Sequence, residues 1–216
     1  MTMNAEDFKA LVGTHLLHIT LAENRPSIEH QGLLRPASLA RLAGRNPDDL
    51  LLRKNPVKLS GEMMTATLNH QRPLRAGAQR DGGFLDNHDL RSWAAQLDER
   101  VFLWPQREGK AFQNSLKDRG AHHVFSLDAE RLFETFFQAM DIAPINTGNA
   151  TRHPAKRGDW IYTPVSASAE TFRNKRRTRG LIRGKDRVVE VSIRADIPVA
   201  ALKACSTIGT DHAPDW

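Results

Sequence analysis

The sequence predicts an α+β domain of short strands and helices, and three observations carry that prediction. Runs typical of strands lie far apart along the chain, at residues 16–20, 101–104, 123–127 and 186–193. Amphipathic helices lie between them, but strand and helix do not alternate as they do in a doubly wound parallel sheet. Apolar residues make up 40% of the 216 residues, which is enough for one core. We therefore expect a single domain over residues 1–216.

The first elements have clear boundaries. Residues 5–11 predict a short helix, and the apolar run LLHIT at 16–20 predicts a buried strand. Pro26 opens a second helix and Gly32 ends it, because proline is favoured just inside a helix start and glycine just beyond a helix end. The chain is thus expected to begin with a helix, a strand and a second helix.

The stretch between residues 35 and 100 is the least regular part of the sequence. Short helices are expected at 38–43 and 48–52, whereas three glycines within 75–86 indicate a loop. Residues 89–97 predict an amphipathic helix, whose apolar face consists of Leu90, Trp93, Ala94 and Leu97.

The second half continues with short elements. Pro105 stops the strand that begins at Val101, and Gly120 ends a helix over 110–118. A strand at 123–127 leads into a helix that begins at Ala129. The remaining predicted elements are a short strand at Phe136 and Phe137, a loop at 146–152, a strand or turn at 159–162, an alternating strand at 186–193 and a last helix from Pro198.

Composition excludes several classes of protein. A single cysteine, Cys205, excludes a disulfide framework and a cysteine-based metal site. No apolar run approaches the ~20 residues that a membrane-spanning helix needs, and residues 1–9 lack the features of a secretory signal. Neither a glycine-rich phosphate loop nor a zinc-type histidine pair is present. We expect a cytoplasmic protein that contacts no membrane, has no metal site and lacks a Rossmann fold.

The positive charge is concentrated in one segment. The formal net charge is +6, and residues 173–187 hold eight basic residues and one acid, so the rest of the chain sums to −1. We expect this segment to be a mobile basic loop that attracts polyanions. The alternative interpretation is a solvated linker that only improves solubility.

Four stretches, in order along the chain, carry a family resemblance. The opening combines His18-Ile19-Thr20 with RPSI at 25–28 and Gly32-Leu33-Leu34. It resembles the opening of the DarT family of DNA ADP-ribosyltransferase toxins and is similar to a group of related bacterial domains. The later stretches that are similar to this family are VFLWPQREG at 101–109, HHVFSLDAERL at 122–132 and DRVVEVSIRADIPVAALK at 186–203, with INTGNA at 145–150 in a loosely matching position.

The resemblance implies a split antiparallel sheet of short strands surrounded by helices, with NAD as substrate. It implies that His18 and Thr20 hold a ribose of NAD. It also implies that aromatic side chains hold the nicotinamide. The alternative for His18 is an ordinary core or surface histidine, and the alternative for the aromatic residues is simple core packing. The candidates are Phe102 for one face of the nicotinamide and Phe112 for the other, with Trp104 as an alternative for either.

Glu190 matches the catalytic glutamate of the family. A carboxylate near the ribose stabilises positive charge and can take a proton from the acceptor. Its neighbours are apolar, and burying a carboxylate among them is costly unless the group has a purpose. The alternative is a glutamate that faces solvent on an alternating strand. The resemblance also implies a catalytic arginine, for which Arg72 is the candidate.

The position two residues before Glu190 departs from the family pattern. Many relatives carry Gln or Glu there, whereas this chain has Val188, so the acceptor of the DarT family does not transfer to this chain. The basic segment precedes the glutamate strand, where the superfamily contacts its acceptor, and Lys and Arg side chains bind phosphates without reading sequence. We therefore predict a nucleic-acid acceptor, DNA or RNA, with contacts from Arg176, Arg177, Arg179 and Arg183.

The expected biological role is that of a bacterial toxin or defence factor. Such a protein is expected to have a partner, either an antitoxin or an ADP-ribosyl hydrolase. Two alternatives remain open from the sequence: a non-catalytic nucleic-acid-binding module on the same fold, and an NAD glycohydrolase with no specific acceptor.

Overall fold

A six-stranded antiparallel sheet forms the centre of the domain, which has the α+β class that the sequence predicts. A computed structural model of the chain describes residues 2–62, 64–78, 83–116, 120–150, 156–181 and 186–206. The order of strands across the sheet is β5-β1-β4-β8-β6-β7, and a separate hairpin pairs β2 with β3. The strands are β1 (His15–Leu21), β2 (Val57–Gly61), β3 (Met64–Leu68), β4 (Val101–Pro105), β5 (His122–Asp128), β6 (Met140–Ala143), β7 (Thr163–Pro164) and β8 (Glu190–Ile193).

Short helices surround the sheet. In the described ranges they are α1 (Ala5–Val12), α2 (Arg25–Gln31), α3 (Pro36–Leu42), α4 (Arg72–Ala78), α5 (Leu90–Asp98), α6 (Gln106–Asn114), α7 (Ala129–Phe136), α8 (Ala169–Thr178) and α9 (Val199–Cys205). Single 3-10 turns occupy Ala22–Asn24, Pro47–Leu50 and Asp159–Ile161. None of these helices combines the length and the apolar character that a membrane crossing requires.

The sheet is split between β1 and β4. These two strands pair only where Leu16 faces Pro105 and Leu17 faces Trp104. Beyond that point, β1 continues along β5 and β4 continues along β8. The two halves of the sheet therefore separate just before His18, and this separation opens a space between them.

The main core lies on the face of the sheet that α1 and α7 cover. Leu16, Leu103 and Leu127 belong to neighbouring strands, and each is fully buried in this core. Phe8 from α1 packs against Phe133 from α7 with ring centroids 5.2 Å apart. Each fully buried side chain of this size contributes about 1.5–3 kcal/mol relative to exposure, so this face holds the split sheet together.

Gly32, the predicted end of α2, is required by both conformation and space. Its φ of +92° lies in the left-handed region that disfavours side chains. A Cβ atom at this position would lie 2.1 Å from the Ile197 carbonyl oxygen. The next residue, Leu33, pairs with Ile197 through two backbone hydrogen bonds of 2.9 Å. The glycine therefore lets the end of α2 dock against the segment that precedes α9.

The loop predicted at 75–86 is wrong in its first part, because α4 extends to Ala78. Leu74 is 1% exposed and anchors the helix in a second core cluster. Gly77 allows close packing, since a Cβ atom there would lie 2.4 Å from the Cβ of Ala150. Residues 79–82 lie outside the described part of the chain.

The predicted strand at Phe136 and Phe137 is also wrong. Phe136 is the last residue of α7, and the next strand begins at Met140. Asp128 caps the start of α7 by accepting a hydrogen bond of 2.9 Å from the Arg131 amide, which favours a helix over a strand from this point. The alternating strand expected at 186–193 is shorter than predicted, beginning only at Glu190.

The sequence missed the β2–β3 hairpin. Leu59, Ala66 and Leu68 are each at most 5% exposed and form a third small cluster with residues of α3. Apolar residues at every second position are typical of strands. The turn between the two strands, however, lacks the Asn-Gly or Asp-Gly pair that marks most short hairpins. The hairpin forms a wall beside the split in the sheet.

A buried ion pair fixes the segment that leads to this hairpin. Arg53 and Asp98 have side chains 8% exposed and lie 2.6 Å apart, and the Gln71 amide also donates to Asp98 at 2.9 Å. Arg53→Met should lower the free energy of unfolding by about 3–5 kcal/mol, because Asp98 would lose its buried counter-ion. Urea unfolding measures the change. Arg41→Met is the control: its partner Glu99 is 41% exposed, and the expected loss is below ~1 kcal/mol.

Candidate active site

The split in the sheet opens into a cavity of about 950 Å³, which we call the central cavity. Its walls come from β1, β4, α6, the hairpin and the polypeptide at 146–149. The structure brings together all seven residues that the sequence predicted for catalysis and NAD binding. These cavity-lining residues are His18, Thr20, Arg72, Phe102, Trp104, Phe112 and Glu190.

His18 sits where β1 leaves β4. Its Nδ1 lies 2.9 Å from the Phe102 carbonyl oxygen, which can only accept a hydrogen bond, so Nδ1 carries a proton. Burial lowers the pKa of His18, and the hydrogen bond to Phe102 opposes this effect only in part. The ring is therefore neutral near pH 7, and its Nε2 is a hydrogen-bond acceptor on the cavity wall.

Thr20 lies further along the same strand and is 7% exposed. Its hydroxyl oxygen accepts a hydrogen bond of 3.0 Å from the side-chain amide of Asn24. The same Asn24 side chain donates to the Thr67 carbonyl at 3.0 Å and accepts from the Thr67 amide at 2.7 Å. Asn24 thus connects β1 to the hairpin and forms part of the cavity wall. No local sequence pattern singles out Asn24, because the Thr67 contact joins segments 43 positions apart.

The aromatic wall differs from the expected sandwich between Phe102 and Phe112. Phe112 stacks on Trp104 instead, with ring centroids 4.5 Å apart and planes inclined by 21°. One face of each of these two rings is therefore already covered. Phe102 is only partly buried and lines the cavity on the strand that carries Trp104.

Glu190 is 3% exposed, so the alternative of a solvent-facing glutamate is wrong. It begins β8 opposite Ala143 of β6. Burial is the main cause that raises the pKa of Glu190 to about 7, against hydrogen bonds from Thr147 and the charges of Arg100 and Arg157. A carboxyl group with this pKa exchanges protons near neutral pH, as an acid or base of catalysis must.

Val188 is 2% exposed and belongs to the main core. Val188 is not among the residues that line the central cavity.

Arg72 lies at the exposed rim of the central cavity, at the start of α4. Its Nε donates to the Lys54 carbonyl at 2.5 Å and its Nη2 donates to the Asn55 side chain at 2.7 Å. Arg100 also lines the cavity, is 5% exposed, and acts electrostatically on Glu190. The sequence did not single out Arg100, whose Nη1 donates to Asp141 at 2.6 Å and to Ser192 at 3.0 Å.

Comparison with known proteins gives one match. Residues 14–203 match the model of a family described as "Family of unknown function (DUF7002)". The chain belongs to the DUF7002 family. The matched range contains all the strands and all the cavity-lining residues described above. No curated protein and no solved structure matches the chain.

The basic segment of this DUF7002 domain is not a loop in its first part. Residues 173–178 belong to α8, whose first turn is capped by Ser168 and holds Glu170, while its last turn holds the basic residues. This charge distribution favours a helix, because it complements the helix dipole. Arg183 lies outside the described residues.

None of the described arginines of the basic segment is among the residues that line the central cavity, and each contacts another group of the protein. Arg176 is 4% exposed and donates to the Arg187 carbonyl at 2.7 Å. Arg177 pairs with Glu170 at 3.3 Å. Arg179 pairs with Asp86 at 3.0 Å and lies over the Trp160 ring, 4.4 Å from its centroid. Arg177 and Arg179 remain on the surface, whereas Arg176 is structural.

Within the described ranges, no three His, Cys, Asp or Glu side chains converge as metal ligands.

Proposed function

We propose that this protein is an NAD-dependent ADP-ribosyltransferase whose active site is the central cavity. The observation that carries the proposal is the position of Glu190. This buried carboxyl group, with a pKa of about 7, lines the same cavity as the neutral imidazole of His18. A cavity of about 950 Å³ is near the upper end of the range typical of small-molecule sites, which suits a dinucleotide.

The residues of the cavity suit the parts of NAD. His18 Nε2 accepts a hydrogen bond from a ribose hydroxyl, and Thr20 assists from the same strand. The Trp104–Phe112 pair and Phe102 offer aromatic faces to the nicotinamide ring. The indole and phenyl rings of the pair are already stacked on each other, so they form a fixed wall.

The proposed reaction exchanges one bond at C1′ of the ribose for another and transfers one proton. The bond between nicotinamide and C1′ of its ribose breaks, and nicotinamide leaves with the bonding electron pair. The acceptor forms a new bond to C1′, and its proton passes to the Glu190 carboxylate. The negative charge of Glu190 also stabilises the positive charge that develops on the ribose.

We further propose that the acceptor is a nucleic acid and that the protein acts in the cytoplasm as a toxin or defence factor. Arg177 and Arg179, whose side chains are 65% and 41% exposed, are basic groups on α8 and at its end that phosphates can reach. Asp86 and Glu170 are their present partners, and phosphates would have to displace those carboxylates. An antitoxin or an ADP-ribosyl hydrolase is the partner that would restrain such an activity.

NAD hydrolysis is a second candidate, favoured by one observation. Each described arginine of the basic segment contacts another group of the protein, and none of them is among the residues that line the cavity. Water could then take the place of the acceptor at C1′.

Mass spectrometry after incubation with NAD tests the proposal and separates the candidates. The wild type is incubated with NAD alone, with single-stranded DNA and with RNA. Transfer adds an ADP-ribose unit to a nucleic acid, whereas hydrolysis releases free nicotinamide and ADP-ribose only. Absence of NAD turnover in all three mixtures contradicts the proposal and leaves a binding module. Glu190→Ala is the catalytic control.

A charge reversal tests the acceptor. Arg177→Glu combined with Arg179→Glu should reduce ADP-ribosylation of nucleic acid by at least about tenfold, because phosphate contacts supply salt-dependent affinity. NAD hydrolysis without acceptor should stay within about twofold. Arg45→Glu combined with Lys203→Glu makes the same change in charge at two exposed positions elsewhere and should have no effect. Undiminished transfer in the first double variant means that this surface does not bind the acceptor.

A further inference from the structure

The chain at 146–149 brings a hydroxyl group to the Glu190 carboxylate. Thr147 is completely buried, and its Oγ1 donates a hydrogen bond of 2.5 Å to Glu190 Oε1. The Thr147 backbone amide approaches the same oxygen at 3.4 Å. Hydrogen bonds to a charged acceptor are stronger than neutral ones, so this contact restricts the rotation of the carboxylate. Among the described residues, none donates a hydrogen bond to Glu190 Oε2.

A buried guanidinium shapes this short segment. Arg157 is 0% exposed, and its Nε donates to the Thr147 carbonyl at 3.2 Å. Its Nη2 donates to the carbonyls of Asn146 at 3.0 Å and Asn149 at 2.6 Å. Three carbonyl oxygens of one segment thus point to a single side chain. The planar fork of arginine can satisfy such a set, whereas the single ammonium of lysine cannot hold the same geometry.

The backbone of Arg157 is held independently of its side chain. Its amide donates to the Phe84 carbonyl at 2.7 Å, and its carbonyl accepts from the Asp86 amide at 2.6 Å. The segment is also closed on itself, because the Asn149 amide donates to the Asn146 side chain at 2.8 Å. The backbone position of Arg157 is therefore fixed, and residues 146–149 turn around its side chain. The cavity-facing members of this turn are Asn146, Gly148 and Asn149.

We propose that Thr147 is a positioning residue for Glu190 and that Arg157 sets the position of Thr147. Thr147 holds one carboxylate oxygen, so that Oε2 is presented to the reacting atoms in a fixed direction. A fixed direction matters because small displacements of a catalytic group cause large losses in rate. This inference rests on the proposed function, since it assigns a role within the same active site.

The charges around Glu190 give the sign of the expected change in its titration. Arg100 and Arg157 face Glu190 and lower its pKa, as does the hydrogen bond from Thr147. Tyr162 also lies close enough to interact electrostatically with Glu190, and burial raises the pKa of the Tyr162 phenol. The phenol is therefore neutral across the pH range of interest. Removing the Thr147 hydroxyl takes away a donor that favours the ionised carboxylate and must raise the pKa of Glu190.

Thr147→Val tests the inference, because it removes the hydroxyl and keeps the shape. We expect kcat for NAD turnover to fall at least about tenfold, with KM for NAD within about threefold. The pH midpoint of kcat should rise by about one pH unit, as expected for losing a hydrogen bond to a charged group. Thr147→Ser should restore both values. Thr163→Val is the matched control, because Thr163 is 1% exposed and its hydroxyl has no hydrogen-bond partner among the described residues.

A measurement without turnover separates this inference from the proposed function. Carbon-13 NMR of glutamate side chains follows the titration of Glu190 directly, with Glu190→Gln assigning the signal. An equal titration midpoint in the wild type and Thr147→Val overturns the inference, whatever the activity. A wild type without NAD turnover overturns the proposed function, while the NMR comparison still decides whether Thr147 governs Glu190.

Arg157→Lys provides a second variant in case Thr147→Val does not fold. It keeps the charge and the backbone contacts but lacks the planar guanidinium group. We therefore expect kcat to fall and the pH midpoint of the Glu190 titration to rise. Wild-type kcat and an unchanged titration in a folded Arg157→Lys protein would contradict the assigned role of Arg157. Thr147→Ala tests the hydroxyl again with a smaller side chain.

Discussion

Glu190→Gln should reduce NAD turnover by at least about 1000-fold, the scale of removing a group that acts in the transition state. The amide keeps the shape of the side chain and can still accept from Thr147. It carries no negative charge and cannot take a proton from the acceptor. Nicotinamide release measured by liquid chromatography gives the rate. A loss of less than about tenfold would mean that the carboxylate is not catalytic.

The same substitution should make the protein more stable above pH 7. The folded state holds the Glu190 proton up to a pKa of about 7, whereas the ordinary value is 4.5. Between these values the folded state binds more protons than the unfolded chain, so stability falls as pH rises. The difference corresponds to about 3 kcal/mol once Glu190 is ionised, and Glu190→Gln should recover about 2 kcal/mol of it at pH 8.

Urea unfolding at pH 5 and pH 8 measures this effect. At pH 5, close to the ordinary value of 4.5, most of the difference in stability between the two proteins should have disappeared. Glu134→Gln, at an exposed position on α7, should not change the pH dependence. A constant difference between Glu190→Gln and the wild type at both pH values would show that Glu190 titrates normally.

The pH dependence of activity has the opposite sign to that of stability. Glu190 must be ionised to accept a proton, so kcat should rise with pH through a midpoint of about 7. The ionisation that supports the proposed reaction is therefore the one that weakens the fold.

His18→Phe should reduce kcat/KM for NAD by at least about 100-fold. Phenylalanine preserves a ring on β1, but it loses the bond to the Phe102 carbonyl and the acceptor at Nε2. A buried ribose hydroxyl left without its partner costs about 1–3 kcal/mol, and disorder at the split in the sheet adds to this loss. Steady-state kinetics with varied NAD concentration gives the change.

The pH dependence of binding provides an internal check on His18. Since burial lowers the pKa of His18 from its ordinary value of 6.5, its ring is neutral at pH 7 and above. In the Glu190→Gln background, where the titration of Glu190 is removed, NAD affinity measured by calorimetry should therefore not change between pH 8 and pH 7. His30→Phe, an exposed position on α2, is the control and should leave affinity unchanged. A His18→Phe protein with wild-type affinity and kcat/KM would remove His18 from the binding site.

The sequence was sufficient to place His18 and Glu190 in one cavity, although neither residue is conspicuous alone. The ordered similarity of four stretches linked them, and the strand pattern around each was readable from local periodicity. The aromatic residues on β4 were also found in the cavity. Their mutual arrangement was not, because the stacking of Trp104 on Phe112 depends on how α6 packs on the sheet.

The parts that the sequence could not predict depend on contacts between distant segments. Thr147 and Glu190 are 43 positions apart, and both lie in stretches whose local pattern says nothing about the other. Arg157 is one of many arginines, and only its surroundings distinguish it as buried. The error at α8 had a different cause, since the density of positive charge was given more weight than the acidic start and serine cap of a helix.

Because β1 and β4 pair over only two residues, each strand continues as a sheet edge that faces the interior of the domain. Sheet edges carry backbone groups that can recruit another chain, and proteins usually shield the outermost ones. Here two edges face each other beyond Leu17 and Trp104, where the central cavity begins. Their backbone N–H and C=O groups can form hydrogen bonds to a small molecule but cannot pair with a strand of another chain. These backbone groups are therefore accessible from the cavity without the risk of aggregation that an exposed outer edge would bring.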